Sequence, residues 1–377
     1  MWSRLLTIAS TLMSVQSYIH APSEIPAVRS YFHVGGYYSE DSEGRHIFMD
    51  QMYVEKLLPV DARSNQASPI VIIHGQGQTG ANFLNKPDGG KSWTSQFLEA
   101  GYTVYLVDQT SRGRSAWAPG FGATTPSMYS AELIQQRFTA PERYLLWPQA
   151  KLHTQWPGTG VMGDAVFDAF YSSNVQFIAN ATYQQRAVQS AGAQLLDTIG
   201  APVWLLGHSQ GGIMPFLIAD ARPRLTRGLV LLEPTGPPFE EAVFGSNSAR
   251  SWGLTDIPLS YIPLVNDLII DMVKQEVPPP ELISDNATVP CLLQATEPAP
   301  RQLLNLEPLP ILVVTGEASY HAPYDYCTVA FLRQAGCHKV HHIELGKVGI
   351  HGNGHMMFME KNSETIWELV NEWMRSI

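Results

Sequence analysis

Cysteine is scarce in this sequence of 377 residues: Cys291, Cys327 and Cys337 are the only three. Three thiols cannot staple a small disulfide scaffold, and no CxxC pair offers structural zinc a site. The odd count leaves at least one thiol free. One internal disulfide fits, with Cys291 and Cys327 as the first choice, although spacing alone does not decide among the three pairings. Charge is also sparse, at 15%, with Lys plus Arg numbering 24 against 34 for Asp plus Glu, a formal net charge of −10. A phosphate backbone would be repelled on average, so a nucleic-acid partner is disfavoured. Long apolar runs are missing too: no stretch of 18 apolar residues occurs, which excludes a membrane-spanning helix. What the chain does have is apolar mass, 45% hydrophobic and 10% aromatic with 30 Gly and 27 Pro. Disorder, collagen and coiled coil are thereby excluded. Length alone fits two or three domains, but one large α/β domain with insertions also reaches this size and buries roughly 75% of its unfolded-chain surface.

Short apolar strands alternate with amphipathic helices, the pattern of an α/β fold whose mostly parallel twisted sheet is covered on both faces. Strands are expected at Tyr31 to Tyr38, His46 to Leu58, Ile70 to His74, Tyr102 to Asp108, Val203 to His208, Gly228 to Glu233, Ile311 to Thr315 and Val340 to Leu345. Helices are expected around Ser92 to Ala100, Tyr183 to Ile199, Gln210 to Ala221, Tyr324 to Gln334 and Ser363 to Arg375. Two stretches break the rhythm. One, residues 111–179, is rich in Trp, Phe, Tyr, Pro and Gly. The other, about 240–300, carries an apolar helix at Pro258 to Val273 before Pro278-Pro279-Pro280. Both leave carboxyl ends of strands, where open α/β sheets bind ligands, so they are expected to form a cap on a single domain spanning 30–377. Residues 1–21 have the order of a short secretory signal, with an apolar stretch from Leu5 to Val15. Asn180-Ala181-Thr182 and Asn286-Ala287-Thr288 would be glycosylation acceptors in a secreted chain.

Gly207-His208-Ser209-Gln210-Gly211 ends one predicted strand and opens the next helix. A serine on so sharp a turn is strained and exposed, and glycine on either side keeps the neighbouring strand and helix clear. The turn therefore presents Ser209 as a nucleophile, with the Gln210 backbone N–H as an oxyanion donor at a helix start. His208 is expected to point away from the cleft as packing rather than to serve as the base. The second oxyanion donor is assigned to the Gln76 backbone amide in His74-Gly75-Gln76-Gly77, with Gly77 adjacent. A phosphate loop is disfavoured there, because the Lys-Ser/Thr ending is missing. Such folds run nucleophile, acid, base along the chain. The base candidates in the loop after the last strand are His355 and His351, and the acid candidates at strand ends are Glu233 and Glu317. His338, His341 and His342 read as an edge strand with polar residues rather than as a metal site, having no acidic or cysteine partner at ligand spacing. No metal and no cofactor is expected.

These residues resemble the α/β-hydrolase superfamily, and within it the Ser-His-Glu extracellular esterases of the Alcaligenes type and related fungal secreted hydrolases. The likeness rests on His74-Gly75, Asp108-Gln109-Thr110-Ser111-Arg112-Gly113-Arg114-Ser115, the Ser209 turn, Glu233-Pro234-Thr235-Gly236 and Gly354-His355-Met356. It implies an α/β-hydrolase fold in which Glu233 is favoured over Glu317 and His355 over His351. Some relatives carry two adjacent cysteines where this chain has Gln76 and Gly77. The expected function is a secreted serine hydrolase that cleaves a small-molecule carboxylic ester or lactone, apolar or bulky, through an acyl-enzyme. The alternative is a tailoring enzyme of a fungal natural-product pathway that opens, cyclises or condenses such a substrate. A silent binding protein would be expected to lack a triad member, and dehalogenases and epoxide hydrolases use Asp where Ser209 stands.

Overall fold

The computed structural model describes residues 25–60, 68–120, 125–279 and 288–377. The signal segment expected at 1–21 and Asn286 of the second acceptor triplet lie outside the described residues. Eight strands form one sheet: β1 (Ala27–Glu40), β2 (His46–Pro59), β3 (Ile70–Ile73), β4 (Val104–Asp108), β5 (Val203–His208), β6 (Thr226–Leu232), β7 (Ile311–Thr315) and β8 (Val340–Glu344). Their spatial order is β1-β2-β4-β3-β5-β6-β7-β8. The β1–β2 and β2–β4 pairs are antiparallel, and the six strands from β4 to β8 run parallel. All four residues of β3 and all six of β5 are buried, as central strands covered on both faces require.

Successive residues of a strand face opposite sides, and the core divides accordingly. Val71, Ile73 and Leu205 pack on one face with α2 (Ala181–Ile199), α3 (Met214–Ala221) and α4 (Asp325–Gln334). Ile70, Ile72 and Leu206 pack on the other with α1 (Trp93–Glu99) and α5 (Ser363–Ser376). Helix limits follow local chemistry: the Asn180 side chain accepts the Tyr183 N–H at the start of α2, and Gly200 at φ 70° ends it. Cys291 is disulfide-bonded to Cys327 of α4, while Cys337 is free and buried.

One expected element is corrected. Residues Pro258 to Val273 do not form a helix; the segment holds a short strand Tyr261–Ile262 and a single helical turn, Leu268–Asp271. Pro263 has no N–H for a helical bond, and Asp267 starts the short turn by accepting the Ile269 and Ile270 N–H groups. The two insertions meet the cleft unequally. Segment 111–179 lines it with Tyr129, Leu133, Arg137 and Phe138, whereas segment 240–300 reaches it among the described residues only between Glu241 and Asn247. From Ile257 onward the second insertion packs into the core on the α2–α4 face through residues such as Leu259, Tyr261 and Leu293.

Candidate active site

The turn between β5 and α3 places Ser209 at φ 56°, a left-handed conformation that a serine adopts only under constraint. A Cβ at Gly207 would lie 2.3 Å from the Gly211 carbonyl oxygen, and one at Gly211 would lie 2.2 Å from that of His74. Backbone therefore fills the space beside each glycine, and no larger residue fits. At the end of β6, Glu233 is the second strained residue of the site, with φ 49°.

Glu233 is fully buried. Its Oε1 accepts the Gly316 N–H at 2.7 Å, and its Oε2 accepts the Ser319 hydroxyl at 2.6 Å and Nδ1–H of His355 at 2.5 Å. With the His355 proton on Nδ1, Nε2 is bare and faces the Tyr320 hydroxyl at 3.4 Å. That hydroxyl also lies near the Ser209 side chain, which favours its ionised form. Ser209, Tyr320, His355 and Glu233 thus stand in one series. Among the described residues Ser209 and His355 make no direct hydrogen bond, a contact that such sites commonly tighten only with substrate.

Burial and nearby histidines set the charges here. Burial pushes His355 well below the usual imidazole range, and the neighbouring His208 and His321 rings act in the same direction. Burial raises Glu233 and the Asp325 carboxylate adds to this, while the bonds from Ser319 and Gly316 oppose it by favouring the anion. The imidazole is consequently neutral at ordinary pH, the state in which it can accept a proton.

The walls above Ser209 enclose a cleft of about 320 Å³. On its floor Gly75, Gln76 and Gln210 adjoin Ser209; a Cβ at Gly75 would lie 3.2 Å from that of Ser209. Gln109 ties the two loops together: its N–H donates to His74 Nε2 at 2.9 Å, and its side-chain amide donates to the His74 carbonyl and to Gln210 Oε1. Arg112, fully buried, donates to the Gly75 carbonyl at 3.0 Å. Asp108 holds Gly80 N–H and Arg114, so the whole Asp108–Ser115 loop serves as a brace under the Gly75–Gln76 backbone.

The other predicted residues separate. Glu317 bonds His351 Nδ1 at 2.9 Å and the Gly352 N–H, in a pair outside the cleft with the His351 side chain 65% exposed. His208 does not point away from the cleft as expected. It lines the wall, with its ring 4.5 Å from that of His355 and its Nε2–H donating to the His355 carbonyl. Burial lowers it to about 3, so it remains an uncharged prop. His342 bonds Thr315, His341 accepts from Trp373, and the three histidines around β8 do not converge. The one group of metal-type ligands among the described residues is Glu233, His321 and His355, where Glu233 and His355 are bonded to each other.

Several contributors carried no motif. His321 stacks on His355 with centroids 4.9 Å apart and bonds Asp325, and Phe138 covers the same imidazole from the first insertion. Glu360, fully buried, holds the loop before His355 through the Gly354 N–H and the Asn353 amide, and it also bonds His153 at 2.9 Å. The contacts of Phe138 and His321 with His355, and of His153 with Glu360, join segments distant in sequence, and nothing in their local pattern pairs them.

A family model described as "Alpha/beta hydrolase family" matches residues 70–368. A curated relative named "Probable secreted lipase phiG", from Fungal sp. (strain ATCC 74256), is 46% identical over 348 residues, covering 92% of this chain and 90% of the relative. Among solved structures, one titled "The Atomic Resolution Structure of a Novel Bacterial Esterase" superposes with a TM-score of 0.61 at 22% identity, covering 94% of this chain and 98% of that one. The likeness to this solved structure bears on the fold alone. Among the described residues, no helix is long and apolar enough to cross a membrane.

Proposed function

The chain belongs to the alpha/beta hydrolase family and is lipase- or esterase-like, and from that premise we propose that it cleaves a carboxylic ester or lactone with a Ser209-His355-Glu233 triad. The observation that carries this reading is the His355 imidazole, bound through Nδ1–H to a fully buried carboxylate while its bare Nε2 faces the cleft that holds Ser209. As the serine oxygen attacks the carbonyl, Nε2 takes its proton. The oxyanion is received by the backbone N–H groups of Gln76 and Gln210, the latter at a turn start where it has no intrahelical acceptor. His355 then returns the proton to the leaving alcohol. Water, activated by the same imidazole, attacks the acyl-enzyme, and the acid leaves. Glu233 keeps the imidazole in this tautomer and offsets the positive charge it transiently carries.

The aromatic walls from residues 129–138, together with Phe244 and Tyr320, support a substrate with a bulky apolar part, the first insertion and the 241–247 stretch of the second serving as a cap. Export from the cell agrees with the name of the 46% identical relative and with the Cys291–Cys327 disulfide, a bond that persists in oxidising surroundings. The test is labelling with a fluorophosphonate together with hydrolysis of p-nitrophenyl esters by wild type and Ser209→Ala. Labelling confined to wild type and loss of turnover in the variant are expected. Hydrolysis by Ser209→Ala at the wild-type rate would overturn the reading.

A further inference from the structure

The cleft contains a cation that the proposed chemistry does not use. Arg137 lines it, and its guanidinium lies 3.8 Å from the centroid of the Phe244 ring, stacked on an aromatic face. Among the described residues no carboxylate forms an ion pair with it. Among the described residues, Glu241 is the one Asp or Glu lining the cleft, and it is paired with Arg250 at 2.7 Å. In a chain with ten more acids than bases, an unpaired arginine inside the substrate cleft is out of keeping with the overall balance.

Its placement is specific. Arg137 sits on a π-helical stretch, Gln135–Thr139, that continues the helix Ala131–Ile134. Such wide turns are rare and concentrate at functional sites. This one turns two successive side chains into the cleft, Arg137 onto Phe244 and Phe138 onto the His355 ring at 5.0 Å. From Phe244 the Tyr320 ring is 5.2 Å away, and from Tyr320 the His355 ring is 4.8 Å away. The cation therefore stands two aromatic rings from the base. Stacking fixes the plane of the guanidinium but consumes none of its N–H groups, so its fork of donors is left for a planar anion, which arginine binds in bidentate fashion.

We propose that Arg137 is a specificity-determining residue that binds a carboxylate on the substrate, so that the ester or lactone is an anionic one whose apolar part spans the aromatic wall between the carboxylate and the scissile carbonyl. This rests on the serine-hydrolase reading above and adds the class of substrate to it.

The experiment compares matched ester pairs on purified wild type, Arg137→Gln and Arg137→Lys. One pair places the charge on the acyl side, p-nitrophenyl hydrogen glutarate against p-nitrophenyl valerate; the other places it on the alcohol side, 4-acetoxybenzoate against phenyl acetate. In wild type, the anionic member of at least one pair should be favoured in kcat/KM. Arg137→Gln should lower that member by about tenfold or more, as expected of a lost hydrogen bond to a charged group. The neutral member should change by less than about threefold, which also reports that the variant is folded. Arg137→Lys should recover part of the preference, and added salt should weaken it. An unchanged anionic-to-neutral ratio in Arg137→Gln for both pairs, or an equal fall in both members, overturns the proposal. Because the neutral esters report turnover at Ser209 independently, that outcome is distinct from failure of the triad itself, which would appear as activity surviving Ser209→Ala.

Discussion

Replacing Glu233 by glutamine changes one oxygen into an NH2 group and leaves the volume unchanged, so its effect can be worked out from the bonds around that carboxylate. Oε1 accepts a backbone N–H, that of Gly316, which cannot rotate away. Oε2 accepts the Ser319 hydroxyl, which can turn to accept instead, and Nδ1–H of His355. Placing the new NH2 against Gly316 would oppose two buried donors, at a cost of about 1–3 kcal/mol. The amide therefore settles with its oxygen toward Gly316 and its NH2 toward His355. The imidazole answers by moving its proton to Nε2, and Nε2 can no longer accept the proton of Ser209. A base held in the wrong tautomer lowers turnover by about 10⁴-fold in serine hydrolysis, equivalent to roughly 5 kcal/mol of barrier. Glu317→Gln alters the pair with the exposed His351 and leaves an amide oxygen able to keep the Gly352 N–H bond, both outside the cleft, and less than a twofold change is expected. Steady-state kcat/KM on a p-nitrophenyl ester, with circular dichroism to establish folding, decides the matter. A folded Glu233→Gln variant retaining more than about a tenth of wild-type activity, or a larger loss in Glu317→Gln, would refute the argument.

Two further outcomes concern pH. Because burial and the neighbouring His208 and His321 hold His355 well below the usual imidazole range, the base stays unprotonated in mildly acidic solution, and the acid limb of kcat/KM should fall below pH 6.5; a limb centred at pH 7 or above would contradict this. His153 is opposite in sign: burial lowers it, but its bonds to Glu142 and Glu360 outweigh that and raise it to about 9. Its contribution to stability is therefore complete below its unfolded value of 6.5 and is lost as pH rises through about 9. His153→Gln leaves the buried Glu360 without its cation and should cost roughly 3 kcal/mol at pH 6, the gap from wild type closing by pH 10 in urea denaturation; a gap independent of pH would remove the ion pair from the explanation.

The sheet was legible in the sequence because central parallel strands must be apolar on both faces: β3 is an unbroken apolar run, and β5, β6 and β7 each contain one, Val203 to Leu206, Leu229 to Leu232 and Ile311 to Val314. The turn at Ser209 was legible because backbone crowding there admits only glycine on both flanks, a constraint that is written in residue identity. The apolar run from Pro258 was misleading for the converse reason: hydrophobicity alone does not tell a buried helix from irregular chain packed on a core. His208 misled in the same manner, since its direction depends on the carbonyl of His355, 147 residues away.

Sequence alone, then, determined the strand order of chemistry along the chain: which turn carries the serine, which loops carry the candidate bases, and which strand ends carry the acids. Local sterics and alternation are enough for that. Tertiary structure decided which acid meets which histidine, pairing Glu233 with His355 and Glu317 with His351, and it brought Tyr320, Phe138 and Arg137 to one cleft. These contacts join distant segments, Glu233 and His355 lying 122 residues apart, and hydrogen bonds across such distances leave no period or spacing in the chain by which they could be read.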